Sequence, residues 1–177
     1  MGHLIIPNAY IAELNKPLIF LAGPIINAPH WHDEAIKFLF AQKSDIMIAS
    51  PRRELKDELV QYVISGENNH FPRQRAWELY YLEHAAKKGC VLFWLPGEEA
   101  HDRDKVYSAM TRVELGETMM VYKYDKHTNF CIGTDGKFPE FSPIKYDLSI
   151  FAPDKEIKTT LQDTCREALR IVSGFSS

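Results

Sequence analysis

Three unbroken apolar runs constrain the fold of this chain more than any other feature. Residues 17–21 read Pro-Leu-Ile-Phe-Leu, residues 46–50 Ile-Met-Ile-Ala-Ser and residues 90–95 Cys-Val-Leu-Phe-Trp-Leu. A strand with one wet face alternates apolar and polar residues. A run without alternation is covered on both faces, the usual state of a strand in a parallel sheet. Between the first two runs, Trp31, Ala35, Phe38 and Leu39 recur at helical spacing over residues 31–41. Asp33 and Glu34 fall in the first turn, where they complement the helix dipole. The three pieces make a β-α-β unit with a right-handed crossover.

The remaining chain reads as further layers of the same kind. Residues 51–71 are polar and mixed, which predicts a long loop with one helical turn within 55–63. Pro72 opens a helix to Lys88, Lys87 and Lys88 suit its carboxyl end, and Gly89 stops it before the 90–95 strand. A charged loop over 97–107 leads to a short helix over 109–117 and a fourth strand over 119–124. Thr134-Asp135-Gly136 signals a tight turn or hairpin, and 144–151 supplies a fifth strand. Ile157, Leu161, Cys165, Ala168, Leu169 and Val172 lie on one stripe of a final helix over 154–172, capped by Gly174. No repeat or linker interrupts the pattern. The expectation is α/β: one domain over 1–177, a doubly wound, mainly parallel five-stranded sheet with helices on both faces, flavodoxin- or Rossmann-like.

Composition narrows the function classes. The net charge is −3 and no basic run exceeds two residues, so there is no electrostatic footprint for nucleic acid. Cys90, Cys131 and Cys165 are widely spaced and lack CxxC spacing, which argues against a zinc site or a disulfide framework. No apolar run approaches the ~20 residues of a membrane helix, and no signal peptide opens the chain. A soluble cytoplasmic protein without metal is expected.

Glu114, in Thr111-Arg112-Val113-Glu114-Leu115-Gly116-Glu117, stands out among the acids. It follows a buried strand and a long polar loop, and open α/β sheets bind ligands outside the carboxyl ends of their strands. Leu115-Gly116 is expected to let its helix pack close to neighbouring backbone. The bland alternative is a solvated acid favouring the helix dipole. Thr111 suits a helix cap, Gly23 and Pro24 end the first strand, Trp77 suits helix-to-sheet packing, and Trp31 suits either core or the wall of a pocket. Arg52, Arg53 and Arg73 are surface charge, or line a pocket mouth and bind a phosphate.

Taken in order, Phe20-Leu21-Ala22-Gly23-Pro24, Trp31, Arg75-Ala76-Trp77-Glu78, Val91-Leu92-Phe93-Trp94-Leu95-Pro96 and Thr111-Arg112-Val113-Glu114-Leu115-Gly116 resemble the nucleoside 2-deoxyribosyltransferase family, in its nucleoside 2-deoxyribosyltransferase-like branch. The resemblance spans roughly residues 17–124 and fades toward the carboxyl end. It implies transfer of a 2-deoxyribosyl group between nucleobases, with Glu114 as the nucleophile and no cofactor. It further implies Gly23, Pro24, Glu78, Trp31, Ser108 and Thr111 around a small-molecule deoxynucleoside and nucleobase, and a homo-oligomer that shares residues between subunits. Ser108 stands near the point where several transferases of the family carry a base-contacting aspartate. The apolar residues Phe138, Phe141, Tyr146 and Phe151 suit an interface or the closing edge of the sheet. Two rival readings keep the fold: a deoxynucleoside or deoxynucleoside 5′-monophosphate N-glycosidase with water as acceptor, and a non-catalytic nucleotide-sensing module.

Overall fold

Alternation concealed inside the apolar runs sets the layers. In the computed structural model, which describes residues 2–7, 9–67, 70–101 and 104–175, β2 (Leu18–Ala22) and β4 (Gly89–Leu95) are buried at every position. Leu18, Phe20, Ala22, Val91, Phe93 and Leu95 point to one face, and Ile19, Leu21, Cys90, Leu92 and Trp94 to the other. Each face needs its own cover. The first is covered by α3 (Gln74–Lys88), α4 (Ala109–Tyr124) and α5 (Phe141–Phe151), the second by α1 (Trp31–Gln42) and α6 (Leu161–Ser173). The order along the chain is completed by β1 (His3–Ile5), β3 (Met47–Ala49), the four-residue α2 (Asp57–Val60), β5 (Phe130–Thr134) and β6 (Ile157–Lys158).

The sheet has six strands in the order β1-β3-β2-β4-β5-β6, each paired in parallel with its neighbours. It is the mainly parallel, doubly wound α/β sheet that the runs predict, with one strand more. The chain leaves β2 through α1 to reach β3 on one side, and leaves β4 through α4 to reach β5 on the other. The connections therefore diverge between β2 and β4, the place where such sheets open a crevice.

Two expected strands are helices. Residues 119–124 continue α4, because Leu115, Thr118, Met119 and Tyr122 are buried while Met120, Val121 and Tyr124 stay exposed. That is a 3.6-residue stripe, and no breaker separates it from the helix before it. Residues 144–151 belong to α5, with Ile144 and Leu148 buried four apart and Pro143 tolerated in the first turn. This segment is consequently no closing edge of the sheet. Phe138 is 4% exposed and packs on Tyr107, while Tyr146 is exposed.

Three short strands carried too little pattern to be found. In β5, Phe-Cys-Ile-Gly-Thr, a glycine interrupts the apolar run. β1 has three residues and β6 two. The final helix starts at Leu161 rather than at 154, because the Thr160 side chain accepts from the Asp163 amide at 3.1 Å and caps it there. Thr134-Asp135-Gly136 makes the expected tight turn, but between β5 and α5 rather than within a hairpin. Gly136 has φ +80 and the Asp135 carboxylate accepts from the Gly97 amide at 3.0 Å.

Candidate active site

A cavity of about 830 Å³ opens over the carboxyl ends of β2, β3 and β4. Its walls come from residues 23–28 and His30 after β2, residues 51–54 after β3, and residues after β4 that include Ser108, Thr111 and Glu114; α3 adds Gln74 and Glu78. The crevice is where the strand connections diverge. The cavity therefore follows from topology, and its chemistry from the residues that the loops deliver there.

Glu114 lies on the second turn of α4 and is 5% exposed. Arg75, on α3, donates through Nη1 to Glu114 Oε1. The same guanidinium stands 3.7 Å from Glu78 and 3.8 Å from Glu117. Glu78 Oε1 accepts from Gln74 Nε2 at 2.9 Å, and Gln74 Oε1 accepts from Arg53 Nε at 3.1 Å. Two acids thus face the cavity on either side of one cation. Burial pushes the Glu114 carboxyl up from its ordinary value to about 7; Arg75 opposes this, and the carboxylates of Glu78 and Glu117 add to it. At neutral pH this group exchanges a proton readily, and its ionised form is poorly solvated, as a carboxylate nucleophile or general base requires. Oε2 receives no hydrogen bond from the described residues.

Gly23 is a glycine for a steric reason. A Cβ there would lie 2.4 Å from the Trp94 carbonyl oxygen and 2.6 Å from the Trp31 ring. Trp31 itself is 2% exposed, packs in the core with α1, and is not among the residues lining the cavity. Its indole N–H donates to the Pro24 carbonyl at 2.9 Å, so it braces the wall from behind rather than touching a ligand. Trp77 is fully buried as packing, with its indole N–H on the Ala9 carbonyl at 2.9 Å.

The start of α4 differs from the expected capping. Thr111 is the third residue of the helix, buried on the cavity wall, and no side chain caps the amino terminus. The N-cap position is held by Ser108 at φ 57, ψ 35, a left-handed conformation that costs a non-glycine residue about 1 kcal/mol or more. Ser108 Oγ is buried, with no hydrogen-bond partner among the described residues. An unpaired hydroxyl held in a strained conformation at a cavity wall is a candidate ligand contact. The bend is held by Arg112, which donates to the Pro139 carbonyl at 2.6 Å and lies over the Phe138 ring, and by the Tyr107 hydroxyl, which donates to the Pro96 carbonyl at 3.1 Å. Burial raises the Tyr107 phenol, so it stays protonated. Gly116 departs from expectation: it is exposed and nothing lies within 4 Å of its Cβ position, so it does not serve close packing.

The residues Glu114, Glu78, Gly23, Pro24, Ser108 and Thr111 are brought to one cavity. Arg52 and Arg53 join them, whereas Arg73 is the exposed N-cap residue of α3. Sequence reasoning missed Arg75, Gln74 and His30 as site residues. The signal for Arg75 was present as an i, i+3 pair with Glu78, but nothing local shows that α3 turns this pair toward α4. Among the described residues, no group of three or more His, Cys, Asp or Glu side chains is arranged to hold a metal ion. In comparisons with known proteins, no family model matches the chain, and no curated protein matches it.

Proposed function

We propose that the protein transfers a 2-deoxyribosyl group from one nucleobase to another through a covalent intermediate on Glu114. The observation that carries this reading is a buried, cavity-facing carboxylate whose Oε1 is held by Arg75 while Oε2 is left for the substrate. Breaking an N-glycosidic bond builds positive charge on the sugar. A fixed carboxylate beneath the anomeric carbon stabilises that charge and then bonds to it. In the first step the C1′–N bond breaks, its electron pair leaves with the base, the base takes up a proton, and Oε2 bonds to C1′. In the second step a nitrogen of the incoming base bonds to C1′, the C1′–O bond breaks, and the incoming base gives up its proton. Two inversions restore the original configuration.

Within this reading Arg75 has two effects. It fixes the rotamer of Glu114, and it favours the ionised form that burial and the neighbouring acids oppose. Glu78, oriented by Gln74, faces the sugar hydroxyls. The unpaired Ser108 Oγ and Thr111 meet the base, and Gly23 and Pro24 form the opposing wall. The chemistry proposed needs no cofactor, and a homo-oligomer is part of the proposal.

The test is incubation with a 2′-deoxynucleoside, with and without a second free base, together with intact-mass analysis. Expected are a new nucleoside only when the base is added, a trapped 2-deoxyribosyl adduct that maps to Glu114, and loss of at least about 10³-fold in rate in Glu114→Ala. Because the nucleophile is the ionised form, kcat/KM rises with pH to a plateau, with its inflection near the Glu114 value of about 7. Free sugar without an added base moves the acceptor to water and the reading to a hydrolase. Ligand binding with neither product, unchanged in Glu114→Ala, overturns the enzyme reading in favour of a sensing module.

A further inference from the structure

The β3 end of the cavity holds a buried cation that no acid among the described residues neutralises. Arg52 follows β3 and is 6% exposed. Its Nε donates to the backbone carbonyl of Glu54 at 3.0 Å, and its Nη2 lies against the ring nitrogens of His30, 3.2 Å from Nε2. Among the described residues no carboxylate stands within ion-pair distance of it. Arg75, Arg166 and Arg170, in contrast, each meet a glutamate or an aspartate. A buried guanidinium without an anion is costly to keep unless an anion arrives. Its field is felt deeper in the fold, where burial first and then Arg52 and His30 hold fully buried His32 neutral.

The neighbouring charges favour one kind of ligand. Arg53 also lines this end, with its Nε on Gln74, so two consecutive guanidinium groups border the same space. Of the acids, Glu54 contributes its carbonyl to Arg52, and the Asp33 carboxylate stands 3.9 Å from His30. Glu78 is joined to Arg53 through Gln74, and Glu98 and Glu99 line the cavity from the loop after β4. Glu78 and Glu114 face the cavity from α3 and α4, and Glu114 follows β4. β3 and β4 flank β2, so their ends lie two strand spacings apart, about 10 Å. A ligand that is anionic at one end and develops positive charge at the other fits this polarity. The forked donors of arginine match a phosphate better than they match a hydroxyl.

We infer that Arg52, with His30 and Arg53, forms an anion subsite for the 5′-phosphate of the substrate, which makes the substrate a 2′-deoxynucleoside 5′-monophosphate. The inference rests on the glycosyl-transfer reading of Glu114 for the identity of the sugar. On binding, His30 yields Nη2 of Arg52 to the phosphate oxygens. The dianion is thereby kept at the β3 end, away from the Glu114 carboxylate that serves the anomeric carbon.

Calorimetric titration of the intact protein with 2-deoxyribose 5-phosphate, 2-deoxyribose and inorganic phosphate tests the subsite without requiring turnover. The phosphorylated sugar is expected to bind at least 10-fold more tightly than 2-deoxyribose. Arg52→Met is expected to remove that difference, and Arg52→Lys to keep part of it. Turnover of 2′-deoxyguanosine 5′-monophosphate should show a KM at least 10-fold below that of 2′-deoxyguanosine. Equal binding of the two sugars by the unaltered protein overturns the subsite, and this comparison does not depend on how any variant folds. Phosphate binding that survives in Arg52→Met overturns the assignment to Arg52. Tight binding of the phosphorylated sugar without turnover of any nucleotide or nucleoside sinks the glycosyl-transfer reading and leaves the anion subsite standing. Equal turnover of nucleotide and nucleoside does the reverse.

Discussion

At Glu114 burial and pairing act in opposite directions, and the balance has a consequence for stability as well as for chemistry. The carboxyl is raised from 4.5 to about 7, so between those values the folded chain holds a proton that the unfolded chain has released. Stability therefore falls as pH rises through that window, by about 3 kcal/mol at most from the size of the shift. Glu114→Gln resembles the protonated acid and has no such titration. It should match the parent near pH 4 and exceed it above pH 7 by up to about 3 kcal/mol in denaturant unfolding, while losing activity. A stability difference that does not change with pH would show that the carboxyl is not raised. Arg75→Met removes the cation that pairs with this group, so the rising limb of kcat/KM should move to higher pH and recover there. The acid at position 114 was legible in the sequence as a well-placed carboxylate. Its cation was not, because Arg75 and Glu114 are 39 residues apart and meet only when α3 and α4 cover the same face of the sheet.

Elements were legible where one period ran long enough to be unambiguous. β2 and β4 are buried on both sides and read as unbroken runs, and α6 carries a clean apolar stripe. α4 defeated the reading at 119–124 because Met120, Val121 and Tyr124 are apolar on its outer side, which fills in the stripe and imitates a strand. The junction of α3 and β4 shows a tighter constraint. No loop separates Lys88 from Gly89, and a Cβ at Gly89 would lie 1.9 Å from the Leu18 carbonyl oxygen. Leu18 and Gly89 are paired at the start of the β2–β4 ladder, so neither backbone can withdraw without breaking it. Gly89→Ala is expected to cost about 3 kcal/mol or more, read as a lower midpoint in urea unfolding with the slope unchanged. A midpoint within error of the parent would show that the ladder starts further along.

On the scale of the whole molecule, α4 and α5 each expose large apolar side chains on their outer sides. Val121 is 54% exposed, Tyr124 78%, Tyr146 67% and Ile150 50%. The homo-oligomer proposed above would cover these exposed side chains with a second copy. Sedimentation equilibrium should give a multiple of the 20.4 kDa chain mass. Val121→Lys should return the mass to that of one chain with its circular dichroism unchanged, and a parent at single-chain mass would remove this part of the proposal. Hydrophobic patterning by itself pointed to a doubly wound parallel sheet with helices on both faces, because short unbroken apolar runs bounded by turn residues suit strands that are covered on both sides. It also placed Glu114 after the strand that borders the crevice. Only the tertiary structure decided that Arg75 would hold that acid, that Trp31 would brace the wall instead of lining it, and that Arg52 would be buried with no carboxylate beside it among the described residues. These are encounters between loops and helices distant along the chain, and local periodicity carries no information about which residues from different elements will meet.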